Sequence, residues 1–366
     1  MRRHQPPSNL ELPSIDDLRE QLAAAGVTHV GVCDASVLSS ARRALHERKA
    51  LGFDGGMGFT YRNPDRSTDP RRAVEGARSV IAAARPYLPD AIDDPDGPVD
   101  PPGIGRRGRV GKYAWVDHYA PLLGALRAVA ERLRAAGHRA VAFADDNSLV
   151  DRAVAHRAGL GWYGKNANLL LPGAGSFFVL GSVVTTAVYD PVDHPVADGC
   201  GSCRRCIDAC PTGAIVADGV VDGGRCISWV GQRAGDLPEP LRAPFGDHLY
   251  GCDDCQDVCP ISVRLGRRNT IELDDSAVAD VDLLELLAAS DDELLARHGR
   301  WYIADRDPRW LRRNALVILG NVGDPDDDEV RAALQRYGAG SDPILAEHAR
   351  WALDRLRDRS SRSLRA

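Results

Sequence analysis

A chain of 366 residues is long enough for two or three domains with full cores. With 46 basic against 52 acidic side chains the net charge is −6, so bulk charge does not draw polyanions and any such partner must meet a local patch. No apolar run reaches the ~20 residues that span a bilayer. The residues behind Arg2 and Arg3 hold no apolar stretch either, which excludes a twin-arginine export signal and leads to the expectation of a cytoplasmic protein without a membrane partner.

Ser14 as N-cap, Asp17 at the capping-box position and Gly26 as the stop predict a helix over 14–26, after an N-terminal tail of 1–13. A strand follows and ends at Cys33, which reads as a buried strand residue, then a helix near 37–51 and a strand over 79–84. The Pro- and Asp-rich stretch 89–103 predicts a flexible loop. A long amphipathic helix over 119–136 leads into a strand over 140–144, then a helix near 148–158 and strands near 167–171 and 177–187. This alternation predicts an α/β layer domain over 14–190. Asp145 and Asp146 sit at the C-terminal end of the 140–144 strand, where open α/β sheets place ligand crevices. A carboxyl desolvated there would have a raised pKa and could donate a proton. The alternative role for either aspartate is to cap the helix that follows.

The run Gly159-Leu-Gly161-Trp-Tyr-Gly164-Lys165-Asn166 fits both a dinucleotide fingerprint and a phosphate loop, yet neither context is present. Such motifs follow a strand and open a helix, whereas this one follows a helix. Asn166 also supplies no hydroxyl for magnesium. The glycines instead predict a turn where backbone closely approaches another bulky ligand.

Eight of the nine cysteines fall between 200 and 259. Cys200-x2-Cys203-x2-Cys206-x3-Cys210-Pro211 is the two-cluster bacterial-ferredoxin spacing, in which the fourth thiolate ligates the other cluster. Cys252-x2-Cys255-x3-Cys259-Pro260 is a second run, with Cys226 between the two. Two cubanes need eight thiolates, which assigns Cys200, Cys203, Cys206 and Cys259 to one 4Fe–4S cluster and Cys210, Cys226, Cys252 and Cys255 to the other. Structural zinc is the competing reading of CxxC pairs, and the x3-Cys-Pro spacing argues against it. A ferredoxin-like domain is therefore expected over 191–265.

An α-helical region is expected over 266–358, with a short tail at 359–366. Related helices in the stretches 310–325 and 347–356 lie about 34 residues apart, with Leu311, Ala315, Ile318 and Leu319 answering Leu345, Ala349, Ala352, Leu353 and Leu356, a HEAT-like pattern. Between Arg297 and Arg313 six arginines interleave with Trp301, Tyr302 and Trp310. That mixture suits phosphate contact and base stacking, and it equally suits a solvated helix face. Arg359, Arg362 and Arg365 read as part of a disordered tail.

Several of these pieces, in this order, resemble the epoxyqueuosine reductases: Gly55-Gly-Met-Gly-Phe59 with Arg66, Lys112-Tyr-Ala-Trp115, Asp145 with Asp151-Arg-Ala-Val-Ala155, Ala158 to Asn166, and Gly175-Ser-Phe-Phe178. The likeness continues through Cys200-Gly-Ser-Cys203, Ala209 to Ile215, Arg225-Cys-Ile-Ser228 and Leu249 to Gln256. The run Val116-Asp-His-Tyr119 departs from the family's usual Gly-x-Asp-Tyr-His. The resemblance implies a cobalamin-binding α/β domain, a two-cluster ferredoxin domain and HEAT-like helices that hold tRNA. It implies Asp145 as proton donor, and it places Arg66, Lys112, Tyr113, Asp145, Lys165, Asn166, Ser228, Asp253 and Asp254 around cobalamin, with Arg309, Arg312 and Arg313 on tRNA. The implied reaction converts epoxyqueuosine to queuosine at the wobble position of tRNAs with GUN anticodons. It consumes two electrons from an external donor and two protons, releases water, and is carried out by a monomer. A reductive dehalogenase-like corrinoid enzyme and a plain ferredoxin-type electron carrier are the competing readings. The first lacks its export signal here, and the second leaves the N-terminal domain without a purpose.

Overall fold

The computed structural model describes residues 11–88, 105–192, 195–266 and 276–363. The 89–103 loop and all but the last residues of the 1–13 tail lie outside them. Chain contacts divide the protein into two units: the described parts of 1–51, 58–88 and 118–203, and those of 52–57, 89–117 and 204–366.

The first unit is built on a four-stranded sheet in the order His29–Asp34, Ser79–Pro86, Phe178–Thr185, Ala140–Ala144, and every neighbouring pair is antiparallel. The two central strands are almost wholly buried because helices cover both faces. Helix Tyr119–Ala135 buries Leu122, Leu126, Val129 and Leu133 as one stripe. Leu126 lies against Gly181, where any side chain would collide with it. On the opposite face, Ala153, Val154 and Ala158 join Cys33, Val80, Ala82 and Val184 in a single core. Ser14 caps the first helix, Ile15–Ala23, with the full capping box to Asp17. Cys33 is 2% exposed, its thiol pushed up to about 12 by burial, as a core residue requires. The helices and strands of the expected α/β layer are present, but the antiparallel pairing is not that of an open parallel sheet. The crevice rule for parallel strands therefore does not place this site.

The second unit draws on distant parts of the chain. Arg107–Val110 pairs in parallel with His248–Tyr250 and antiparallel with Asp280–Asp282. One apolar core contains Val110, Ile227, Val230, Leu237, Leu249, Leu286, Leu316 and Leu356, so the cysteine-bearing segment and the helical region are packed together. The two related helices emerge as Arg309–Val322 and Pro343–Ser363, with Asp328–Gly338 between them. The last helix continues through Arg359, whose Nη1 donates to the Gly323 carbonyl at 2.9 Å, so the predicted tail is helical as far as Ser363. No helix among the described residues is long and apolar enough to cross a membrane.

Candidate cluster and acid sites

In the second unit, burial raises the thiols of Cys252 and Cys255, and neighbouring sulfurs raise them further. Cys255 feels Cys226, Cys206 and Cys210, while Cys252 feels Cys255 and Cys226. Cys210, Cys226, Cys252 and Cys255, expected on one cluster, are thus neighbours together with Cys206, on or directly beside helices Arg205–Asp208, Ile227–Gln232 and Asp254–Asp257. Deprotonating so many neighbouring thiols is costly unless cationic metal offsets the thiolate charge, so the donor set suits an iron–sulfur cluster. The backbone N–H of Ala214 already points at Cys210 Sγ at 3.2 Å, the kind of amide–sulfur contact that tunes a cluster. Three residues beyond Cys259, the buried Ser262 hydroxyl has no protein partner among the described residues. No disulfide joins any of the nine cysteines. Cys200 and Cys203 fall in the first unit, whose boundary lies just after Cys203.

Five of the residues expected around cobalamin are also in the second unit. Lys112 donates its backbone N–H to Asp253 Oδ2 at 2.6 Å and its ammonium to Asp257 at 2.8 Å. Burial still raises the Asp253 carboxyl, against the opposing pull of Lys112. Tyr113 accepts a hydrogen bond from Gln232 at 2.8 Å. Asp254 is held by His248 Nε2 at 2.9 Å, and Ser228 follows Cys226 on helix Ile227–Gln232. Two acid–histidine groupings in this unit do not form a new cation site. His248 spends its ring nitrogens on the Phe245 carbonyl and Asp254. At the other, the Arg242 guanidinium already occupies Glu347 and Asp236, and Leu237 N–H donates to His348 Nε2.

In the first unit, Asp145 leaves the strand Ala140–Ala144 with φ of +51°, a left-handed conformation that is rare for a residue with a side chain. Burial, then the charge of Asp146, raises its carboxyl, and among the described residues nothing hydrogen-bonds to it. Asp146 instead closes the turn by accepting the Ser148 N–H at 2.7 Å. Neither aspartate caps the next helix, Asp151–Arg157, whose N-cap is Val150 with no side-chain cap. Asp151, which sequence reasoning named only as part of a motif, is a third acid here. Its carboxyl is raised well above normal by burial, then by Asp145 and Asp146.

Two contacts tie the acid loop to the turn that bears Arg66. Asn147 accepts from Thr60 N–H at 2.9 Å, and Val150 N–H donates to Ser67 O at 3.1 Å. The turn with Lys165 and Asn166 is tied to the same helix through Arg152, which donates to Ala167 O at 2.8 Å. The structure therefore brings Asp145, Arg66, Lys165 and Asn166 onto mutually braced loops.

Of the three arginines assigned to tRNA, Arg313 is placed differently from expectation. Arg313 is 0% exposed and donates to the carbonyls of Val230, Gly231, Arg233 and Gly235. It supports the fold and presents nothing to a phosphate. Arg312 is bound to Asp291 at 2.5 Å and to Ala289 O at 2.8 Å, and Arg309 lies between Asp307 and Asp342 at 3.2 Å each. The charge pattern was legible in the sequence, but not the partners that Arg312 and Arg309 find outside it in Asp291 and Asp342.

Residues 199–262 match a family model described as a 4Fe-4S double cluster binding domain. Over 338 residues the chain is 32% identical to the epoxyqueuosine reductase of Bacillus anthracis, covering 90% of this chain and 86% of that one. It is 36% identical over 314 residues to the epoxyqueuosine reductase of Xanthomonas campestris pv. campestris, covering 83% and 85%. Among solved structures, an epoxyqueuosine reductase with a tRNA-Tyr epoxyqueuosine-modified stem loop superposes with a TM-score of 0.81 at 30% identity, over 93% of this chain and 90% of that one.

Proposed function

This chain belongs to the epoxyqueuosine reductase family of oxidoreductases, and on that footing we propose that it reduces epoxyqueuosine in tRNA with Asp145 as the proton donor. The observation that carries this assignment is the Asp145 carboxyl, raised and unpartnered on a strained loop, beside an Asp146 already spent on its own turn. Opening the epoxide to an alkene removes oxygen as water and needs two electrons and two protons. Oxygen departs poorly as an anion, so a protonated Asp145 that delivers its proton as the C–O bond breaks lowers the barrier where it is highest. When bound by the eight cysteines, the clusters would supply one-electron transfer from an external donor.

The donors present suit cobalamin, whose ring is fringed with amides. Arg66 exposes a guanidinium without a side-chain partner among the described residues, and Asn166 brings a buried amide. Taken by itself, the second unit carries its own set of polar groups in Lys112, Tyr113, Ser228, Asp253 and Asp254. When bound, cobalamin supplies the strongly reducing centre that the epoxide requires. The protein's residues position the tRNA, exclude water and hold the proton at Asp145.

Single-turnover conversion of epoxyqueuosine by anaerobically reconstituted, cobalamin-loaded and pre-reduced protein tests this reading. Asp145→Asn keeps shape without a transferable proton and should lose ~10²–10⁴-fold in rate. Asp146→Asn should lose little. Because the acid must be protonated to act, the wild-type rate should fall as pH rises through the raised pKa of Asp145. Near wild-type turnover by Asp145→Asn removes it as the donor.

A further inference from the structure

The loop between helices Asp291–His298 and Arg309–Val322 is fastened on all sides, yet it turns one ring to solvent. Trp301 is buried, stacks on Tyr250 at 4.6 Å and on His298 at 4.4 Å, and donates its indole N–H to Ala114 O at 3.1 Å. Arg300 binds the carbonyls of Ala114, Trp115 and Val116. Arg306 closes the loop onto Gly299 O at 3.0 Å, and Trp310 donates to Ala304 O at 3.1 Å. Tyr302 gives its backbone N–H to the Tyr250 hydroxyl at 2.7 Å. Asp305 and Arg306 both adopt positive φ, +55° and +53°. Each is a strained conformation for a residue with a side chain, and the surrounding clamps must offset it.

At the centre of this rigid loop the Tyr302 side chain is 55% exposed. Its ring lies 6.3 Å from the ring of Trp229, inclined by 27°, and Trp229 is itself fixed by a 2.8 Å hydrogen bond to Gly55 O. An exposed aromatic held in one orientation can receive another flat group with little loss of entropy. The exposed Arg297 and Arg306 flank it in sequence, with one exposed acid, Asp305, between Tyr302 and Arg306, and the two cations suit a partner that combines a flat face with negative charge. A nucleotide has both.

We propose that Tyr302, backed by Trp229, is the platform on which an unpaired base of the tRNA anticodon loop stacks. This rests on the tRNA reading above and adds the residue that holds the loop open. Stacking tolerates any base, because each offers a π-face. Tyr302 therefore contributes affinity for an unpaired loop and does not read its sequence.

The test is binding of a labelled synthetic anticodon stem–loop RNA to the iron-loaded protein, followed by fluorescence anisotropy. Tyr302→Ala should weaken binding about tenfold or more, within the ~5–150-fold that one stacked base accounts for. Tyr302→Phe should bind like wild type. A duplex with the same stem and no loop should bind wild type and Tyr302→Ala equally. Abasic substitution at one loop position should weaken wild type but not Tyr302→Ala. Unchanged affinity of Tyr302→Ala for the stem–loop overturns the platform, and so does an equal loss on the loopless duplex, which marks a collapsed surface. Failure of the wild type to bind any stem–loop overturns the tRNA reading itself.

Discussion

Arg313 joins the start of helix Arg309–Val322 to the end of helix Ile227–Gln232, where its guanidinium takes up carbonyls that the short helix leaves unpaired. Asn314 completes the arrangement, donating to Gly231 O at 2.8 Å and accepting from Arg313. Removing this fork strands several buried carbonyls and opens a cavity, so Arg313→Ala should destabilise the fold by roughly 3 kcal/mol or more. Arg313→Lys should recover only part of that, because one ammonium cannot span the same acceptors. Thermal unfolding measures both, and the salt dependence of RNA binding should not change in Arg313→Lys. His298 makes a second claim at this scale. Burial, then Arg297 and Arg300, lower its pKa to about 4 from an unfolded value near 6.5. The unfolded chain therefore binds more protons between those values, so the fold loses stability as pH falls through that window. The loss should amount to ~1–3 kcal/mol, and His298→Phe, which keeps a ring against Trp301, should flatten it. An unchanged pH profile in that variant would remove His298 as the cause.

Helices pack closely only where side chains permit, and Gly320 is such a place. A Cβ there would sit 2.8 Å from Ala352 Cα on helix Pro343–Ser363, and the atom it meets is backbone, which cannot swing aside. Gly320→Val should force the two helices apart at a cost of ~1–3 kcal/mol despite its loss of glycine's flexibility in the unfolded chain. Chemical denaturation should show this as a lower midpoint. Elements of this kind were largely visible in advance, because their causes are local. The capping box at Ser14 and the apolar stripe of Tyr119–Ala135 each lie within one helix, and the eight cysteines within one segment of chain, 200–259. The strand Arg107–Val110 was not visible. Its four residues become a strand only by pairing with His248–Tyr250, some 140 positions away. The antiparallel order of the first sheet was hidden for the same reason, since helix–strand alternation does not specify which strands adjoin. Asp145 was legible as a candidate, but its separation from Asp146 rests on a backbone angle and one turn hydrogen bond that no local pattern announces.

At the scale of the whole molecule, the sequence suggested a ferredoxin-like segment followed by helical repeats too few to stand alone, and the chain places the cysteine-bearing segment from Arg204 onward and those helices in one unit with one core. The last helix, Pro343–Ser363, is part of that core. It contributes Leu345, Ala349, Ala352 and Leu356 to the same apolar cluster as Ile227, Val230 and Leu237. Polar ties run beside them. Glu347 receives Arg242 at 2.7 Å and 2.8 Å, and His348 accepts the Leu237 N–H at 3.2 Å. Those residues lie between Cys226 and Cys252, so the helix braces the loops that carry cluster ligands. A chain ending at Asp342 should therefore fail to assemble its clusters, even though every cysteine is retained. Anaerobic reconstitution followed by iron and sulfide analysis gives the measure. Full-length protein should take up iron for two 4Fe–4S clusters, Cys33→Ser should do the same, and Cys226→Ser should lose one cluster's worth. The shortened chain should fall below Cys226→Ser, because the damage reaches the whole core and not a single ligand. A shortened chain that retained full iron would show the cysteine segment folding by itself, and the shared core would then be contact without consequence.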